Sequence, residues 1–91
     1  MYFSEQPDLK HATIVLLSSL RPGQSGQVYK VSGSPAICQR LLEMGVTGGT
    51  SIEVIRFAPL GDPMEIKIRG YRLLLRRKEA EHIKIAFKKQ E

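Results

Sequence analysis

Few residues of this 91-residue chain have both the type and the spacing that catalysis needs. The chain has one cysteine, Cys38, and two histidines, His11 and His82, and neither histidine is near Cys38 in the sequence. Nucleophilic catalysis requires a base within hydrogen-bond reach of the nucleophile. The sequence also lacks the GxxxxGK[ST] loop with which many proteins bind nucleoside triphosphates. We therefore predict that the chain is not an enzyme and does not itself bind GTP.

One pair of residues has the spacing of metal ligands. Glu79 and His82 lie three positions apart and would share one side of a helical turn. Zinc sites usually have three or four protein ligands, so we interpret this pair as an exposed surface pair. Cys38 lies beside the apolar stripe of a predicted helix, and we expect it to be a small core residue. The sequence thus predicts neither a metal site nor a cofactor.

Positive charge is concentrated in the last third of the chain. The net charge is +5, and residues 65–89 contain nine basic and three acidic residues. A basic surface of this kind attracts nucleic acid, anionic lipid or an acidic protein surface. A solvated sheet face accounts for the same pattern, because the outer positions of strands are commonly polar. Only three tyrosines and three phenylalanines are present to stack on bases. Two of these, Tyr71 and Phe57, are predicted core residues, and we expect no nucleic acid partner.

The composition favours a cytoplasmic location. A single cysteine allows no internal disulfide bond, which is typical of a reducing compartment. Residues 1–20 include Glu5 and Asp8 and only a short apolar stretch, so they do not resemble a signal peptide. No apolar run is long enough to span a bilayer. We predict a cytoplasmic protein that does not itself cross a membrane.

One short helix is marked at both ends. Ser34 is a favourable N-cap, and Pro35 occupies the first helical position, where its missing N–H is not needed. Gly45 suits the left-handed conformation that ends many helices. An apolar stripe with helical spacing lies between these ends. It consists of Ile37, Leu41 and Met44, with Cys38 and Leu42 beside them.

The second half of the chain reads as a series of short strands. Residues 64–69 alternate strictly between apolar and charged, which is typical of a half-buried strand. Residues 71–76 return after a hairpin turn, with Tyr71 among the core-facing positions. In the strand at 52–57, the alternation places Phe57 on the face opposite Ile52 and Val54.

Further strands are predicted at 14–17, 27–32 and 83–87, with a single helical turn at 78–81. The residues predicted to form turns are Gly23, Gly45, Gly49, Pro59, Gly61, Pro63 and Gly70. These elements predict a mainly β fold, a small SH3-like β-barrel with one inserted short helix and one helical turn before the last strand. Closing the sheet on itself would bury one face and remove the edges. We expect a flexible leader at 1–12, the barrel at 13–87 and a polar tail at 88–91.

Five residues are candidates for contact with a partner protein. Arg40 projects from the helix opposite the core stripe, and it forms either a local ion pair with Glu43 or, with Leu42 and Met44, part of a docking surface.

Two further candidates, Leu60 and Leu74, are apolar residues in polar surroundings. Leu74 shares a strand face with Arg72 and Arg76, and it either packs under another segment or contacts a partner. Leu60 lies at the tip of a loop made rigid by Pro59 and Pro63, and it either caps the barrel end or anchors a partner.

A series of short motifs runs through residues 16–86 in a consistent order. The motifs are Leu17-x-x-Leu20-x-Pro22-Gly23, Gly26-x-Val28, Arg40-Leu41-x-x-Met44-Gly45-x-x-x-Gly49-Thr50, Ala58-Pro59-Leu60-Gly61-Asp62-Pro63, Gly70 with Leu73 to Arg76, and Glu79-Ala80-x-x-Ile83. Each is weak alone. Together they resemble the FeoA family, the small cytosolic accessory proteins of bacterial ferrous iron uptake. The chain departs from the family pattern at Gly48, where proline is usual, and at Met44, where leucine is common.

The resemblance implies an SH3-like fold and a non-enzymatic role beside FeoB, a membrane iron transporter with a cytosolic GTP-binding domain. It implies that the barrel docks on the cytosolic part of FeoB and modulates transport or the GTP cycle. Two alternatives are a basic barrel that binds nucleic acid and a metal-responsive regulatory module like the FeoA-like domains fused to DtxR-type repressors. Such a module would need a helix-turn-helix, for which 91 residues leave no space beside the barrel. Weak self-association stays open.

Overall fold

Six antiparallel strands form a single sheet in the computed structural model, which describes residues 12–88. The strands are β1 (Ala12–Leu16), β2 (Ser25–Val31), β3 (Ser51–Phe57), β4 (Met64–Ile68), β5 (Tyr71–Leu75) and β6 (Ile83–Lys88). The helices are α1 (Pro35–Glu43) and α2 (Arg77–Ala80), and a 3-10 turn covers Leu17–Ser19. The order of strands across the sheet is β1-β6-β2-β3-β4-β5.

The mainly β class, with one helix after β2 and a helical turn before the last strand, is confirmed. The observed bounds of the elements differ from the predicted ones by one or two residues. For example, β1 begins at Ala12 and α2 begins at Arg77. The predicted leader lies outside the described residues apart from Ala12, and the predicted tail apart from Lys88. No helix within residues 12–88 is both long and apolar enough to cross a membrane.

The sheet curls at β2, because one half of this strand pairs with β3 and the other half pairs with β6. Residues Ser25–Gln27 pair with β3, whereas Gln27–Val31 pair with β6, with a register shift between Val28 and Lys30. Within the described residues, β1 and β5 are the two edges of the sheet. The curl therefore does not remove the edges, contrary to the expectation that closure would do so.

A single apolar core fills the inside of the sheet. Alternate residues of β3 and β4 supply Ile52, Val54, Ile66 and Ile68, each almost completely buried. The remaining members of the cluster are Leu17, Leu20, Val28, Leu41, Val46, Met64, Leu75, Ala80, Ile83 and Ile85. Within residues 12–87 no polar or charged residue is buried.

A bulge in β3 changes which residues face the core. Val54 pairs with Ile66, but the register shifts before Arg56, and Phe57 then lies opposite the buried Met64. A bulge adds one residue to one strand and so reverses the alternation beyond it. The prediction that Phe57 lies on the face opposite Val54 is therefore wrong, whereas the prediction that it packs in the core is confirmed.

Both ends of α1 form as predicted. The Ser34 hydroxyl accepts a hydrogen bond from the backbone N–H of Ile37 at 3.3 Å. After the last turn, Gly45 has a φ of 93° and donates its N–H to the carbonyl of Leu42 at 2.9 Å, as expected for a glycine that ends a helix. Between these ends the helix buries Leu41 and leaves the side chain of Leu42 exposed.

Candidate docking surface

Three of the five residues predicted to contact a partner are large apolar side chains that solvent reaches. The exposed fraction is 96% for Leu60, 62% for Leu74 and 51% for Leu42. Met44 is half-buried and packs against the core. Leu60 does not cap the barrel end, because a capping side chain would be covered. Leu74 is likewise not packed under another described segment.

The fifth residue, Arg40, bridges the two helices. Its Nη2 atom lies 3.0 Å from Oε2 of Glu79, whose side chain is only 16% exposed. The other carboxylate oxygen of Glu79 accepts a hydrogen bond from the backbone N–H of Arg76 at 2.9 Å. The alternative of a local pair with Glu43 is wrong, because Glu43 accepts from Gln39 instead at 3.0 Å. The Arg40 head group is therefore directed toward α2.

Tyr71 reaches α1 from the start of β5. Its hydroxyl donates to the carbonyl of Met44 at 2.6 Å, and the residue is 45% exposed. Tyr71 lies opposite the buried Ile68 and on the same face of β5 as Leu75, as the alternation predicts. The prediction that it is a core residue is wrong, because nearly half of the residue is exposed and its hydroxyl requires a polar partner. This bond connects the C-terminal end of α1 to the edge strand β5.

Arg69, in the turn before β5, holds the segment that follows α1. Its Nε donates to the carbonyl of Gly45 at 3.3 Å, and its Nη2 donates to the hydroxyls of Thr47 at 2.9 Å and Thr50 at 3.2 Å. The last carbonyls of a helix have no partners within it, and a cation near them is favourable. The β4–β5 hairpin thus supplies donors that α1 and its connection to β3 require.

The loop that carries Leu60 is held by the start of α2. Asp62 Oδ1 accepts a hydrogen bond from the backbone N–H of Arg77 at 2.9 Å. The carbonyl of Gly61 accepts a second one from the Nη1 atom of the Arg77 side chain at 3.2 Å. The Arg77 guanidinium also lies over the ring of Phe57, 5.4 Å from its centroid. Leu60 is therefore displayed by an anchored loop, so little conformational freedom is lost when a partner contacts it.

Leu74 lies among charged residues on the outer face of the sheet. Its partner across the β4–β5 ladder is Glu65. Glu65 accepts from Arg56 Nε at 2.7 Å and lies 3.5 Å from Arg72 Nη1. Since one carboxylate faces two guanidinium groups, this part of the outer face keeps a positive charge.

The residues considered as metal ligands, Glu79 and His82, do not belong to a larger cluster of such residues within the part of the chain that the structure describes. Within residues 12–88 no group of three or more His, Cys, Asp or Glu side chains is arranged to hold a metal ion. Glu79 turns toward Arg40 and is not the exposed surface residue that we expected. Cys38 is half-buried, with its sulfur 3.8 Å from the carbonyl of Gly33. It is not part of the core cluster, so the expectation that it is a small core residue is wrong.

Residues 15–86 match the family model described as the FeoA domain. The chain belongs to the FeoA family. This match covers all the elements that carry the candidate docking residues, from β2 through α2.

Individual relatives agree with the family match. A fusion protein of Porphyromonas gingivalis, named Fe(2+) transport protein A/Fe(2+) transporter FeoB, is 38% identical over 69 residues, which are 76% of this chain and 8% of that protein. The solution structure of a FeoA protein from Chlorobium tepidum is 41% identical, with a TM-score of 0.74, over 80% of this chain and 70% of that one. A Stenotrophomonas maltophilia FeoA, solved with zinc and described as a prokaryotic SH3 domain protein, is 29% identical, with a TM-score of 0.66, over 76% and 86%. The fold of this FeoA domain is therefore an SH3-like barrel.

The predicted turn residues lie between the elements of this FeoA domain or at their ends. The values of φ lie between 84° and 93° at Gly23, Gly45, Gly49, Gly61 and Gly70. Pro59 and Pro63 flank the loop that displays Leu60.

Sequence reasoning missed three residues that position the candidate surface: Arg69, Tyr71 and Glu79. Glu79 is the third residue of α2, where a glutamate commonly accepts a hydrogen bond from the backbone of the N-cap residue. That pattern could have identified its inward direction. No comparable local pattern identifies the bonds of Arg69 and Tyr71, because their acceptors lie about 20 or more positions away in the sequence.

Proposed function

We propose that this FeoA-family chain is a non-enzymatic, cytoplasmic accessory protein of ferrous iron uptake that docks on the cytosolic part of a FeoB-type transporter and modulates it. The observation that carries this proposal is the Porphyromonas gingivalis relative, in which the matching region and the transporter FeoB are parts of one protein. A covalent connection keeps two domains at a high effective concentration. Such a connection is useful when the two act on one another.

The distribution of polar groups supports a binding role. Within residues 12–88 the buried residues are all apolar, and no cluster of metal-ligating side chains is present. The surface instead displays separate leucines beside arginines. Large apolar residues in contact with positive charge are common at protein–protein interfaces, where arginine is enriched.

We propose that the docking surface consists of Arg40, Leu42, Met44, Leu60 and Leu74. These residues lie on α1, the 58–63 loop and β5. Hydrogen bonds connect α1 to β5 through Tyr71, and the loop to α2 through Arg77. Because the segments are held in place before binding, a partner would meet a preorganised surface.

The test is a binding titration with the soluble cytosolic domain of the transporter, in the absence of nucleotide and with GDP or a non-hydrolysable GTP analogue. The variants Leu60→Glu and Leu74→Glu should each weaken binding about tenfold or more, since a buried charge at an interface hot spot costs more than 1 kcal/mol. Ile14→Glu is the matched control, because Ile14 is also an exposed aliphatic residue, at 39%, but lies on the opposite edge strand.

Absence of binding in every nucleotide state would reject docking on the transporter. Equal weakening by Ile14→Glu and by the two leucine variants would reject the proposed surface while leaving docking itself intact. Modulation is measured separately, as a change in the GTP hydrolysis rate of the cytosolic domain on addition of the chain.

A further inference from the structure

The hairpin that joins β4 and β5 determines which backbone groups of β5 are free. Its two central residues, Arg69 and Gly70, have φ values of 52° and 84°. Positive φ at both positions is typical of a type I′ turn, in which the flanking residues are hydrogen-bonded to one another. Here those residues are Ile68 and Tyr71, which are partners in the ladder. The ladder of β4 and β5 therefore starts with a hydrogen-bonded pair.

Hydrogen-bonded and non-hydrogen-bonded pairs alternate along an antiparallel ladder. Counting from Tyr71, Arg72 and Leu74 occupy the non-hydrogen-bonded pairs, and their N–H and C=O groups point away from β4. Since β5 is an edge of the sheet, no neighbouring strand meets these groups within residues 12–88. No other backbone hydrogen bond of the described residues uses them. Two donors and two acceptors are thus arranged to pair with an added strand.

The side chains of the same residues form a row on the outer face. Arg72, Leu74 and Arg76 are all exposed and lie at successive alternate positions, with Arg76 continuing the extended backbone beyond the end of β5. Arg72 shares Glu65 with Arg56. Arg76 has no carboxylate within 4.0 Å among the described residues. The row is therefore positive, apolar and positive, with positive charge in excess.

This row disfavours a second copy of the chain as the added strand. Pairing two β5 edges would bring arginines of both copies close together, and like charges opposite one another destabilise a sheet. Charged side chains on edge strands commonly prevent self-pairing in this way. An added strand with acidic residues at the corresponding positions would instead be attracted by the positive charge of the arginines.

We propose that the β5 edge binds an extended segment of a partner protein by strand addition, and that this segment carries an acidic, an apolar and an acidic residue at alternate positions. The backbone of Arg72 and Leu74 supplies the hydrogen bonds, and the side-chain row supplies the selection. This inference rests on the proposed function, since it specifies how docking on the transporter begins. The other edge strand, β1, has no charged residue in its sequence Ala12–Leu16 and lacks this selection.

The experiment is an NMR titration of the ¹⁵N-labelled full chain with the acetylated and amidated peptide Thr-Glu-Thr-Leu-Thr-Glu-Thr. We expect the amide signals of residues 72 and 74 to shift and those of β1 to stay in place. Replacement of both glutamates by lysine should weaken binding at least about tenfold. Addition of 0.5 M salt should weaken binding of the parent peptide by a similar factor, because dissolved ions screen the attraction between its glutamates and the arginines. The double variant Arg72→Glu/Arg76→Glu should reverse the preference and bind the lysine peptide.

Two further peptides separate strand addition from charge attraction alone. The first is N-methylated at its Glu and Leu positions, and the second is N-methylated at its internal Thr positions. In an added strand the N–H groups of one of these two sets face β5, and the peptide that is methylated on that set lacks the donors. We expect the peptide that lacks the donors to bind at least about fivefold more weakly than the other methylated peptide. Equal affinity of the two methylated peptides and the parent, or shifts confined to α1, would overturn the proposal.

A parallel titration with the transporter's cytosolic domain distinguishes this proposal from the proposed function. If that domain binds without shifting the signals of residues 72 and 74, docking stands and strand addition is overturned. If the peptide binds at β5 while the domain does not bind at all, strand addition stands and the proposed function is overturned.

Discussion

At the scale of single residues, the hydroxyl of Tyr71 has a well-defined structural role. It donates at 2.6 Å to the carbonyl of Met44, which follows the last residue of α1. Tyr71→Phe removes this donor and keeps the ring. We expect the free energy of unfolding to fall by about 1 kcal/mol or less, because one hydrogen bond is lost at a half-exposed position where water can replace it. Urea unfolding followed by circular dichroism measures the change.

Tyr29→Phe is the matched control for this prediction. Tyr29 is 42% exposed, close to the 45% of Tyr71, and its hydroxyl makes no hydrogen bond within residues 12–88. The free energy of unfolding of Tyr29→Phe should equal that of the unsubstituted chain. If both variants lose equally, the bond between Tyr71 and α1 contributes nothing measurable.

Single-residue contacts were also the hardest to predict from the sequence. The helical spacing of Arg40 predicts a local alternative, Glu43, because a sequence shows only the neighbours on one helix. The actual partner of Arg40, Glu79, is 39 positions away and is brought near by the packing of α2. Alternation along β5 predicts that Tyr71 is a core residue, but alternation does not reveal how far the core extends. Both errors concern contacts that exist only after the chain has folded.

At the scale of elements, the close approach of β2 to β6 depends on Gly26. A Cβ atom at this position would overlap the side chain of Ile85 and lie 2.7 Å from the carbonyl oxygen of Ala86. Gly26→Ala should therefore destabilise the fold by about 1–3 kcal/mol, as overpacking of a dense interior does. Gly48→Ala is the control, because a Cβ there meets no atom within 4 Å. Thermal unfolding of both variants measures the difference, and equal midpoints would contradict the close approach.

The positions of the elements and the caps of α1 could be predicted, whereas the register shifts between paired strands could not. The caps of α1 depend on Ser34 and Gly45, whose effects act within a few residues. The register shifts near Tyr29 and Ile55 depend on how two strands meet, which no local pattern specifies. The bulge in β3 accordingly reversed the predicted direction of Phe57.

At the scale of the whole molecule, the buried core is separated in space from the exposed leucines of the proposed docking surface. The core is built from alternate residues of nearly every element, and this alternation is visible in the sequence, which explains why the fold class could be predicted. The position of β1 and β5 as the edges of the sheet within residues 12–88 could not be predicted, because the number of strands does not determine whether a curled sheet closes. The candidate docking residues could be named one by one from the sequence, but their arrangement into one surface depends on how the edge strand β5, the 58–63 loop and α1 lie in the fold.

This separation predicts opposite results for one substitution at two positions. Leu41 is 1% exposed and Leu60 is 96% exposed. Leu41→Ala should lower the free energy of unfolding by about 2–5 kcal/mol, because it removes buried methyl groups and leaves a cavity. Leu60→Ala should change it by less than about 0.5 kcal/mol, as exposed substitutions usually do, while weakening binding to the transporter's cytosolic domain. Urea unfolding and the binding titration together measure both effects. A large loss of stability in Leu60→Ala would mean that this leucine packs inside the protein, and the 58–63 loop would then no longer qualify as an anchor for a partner.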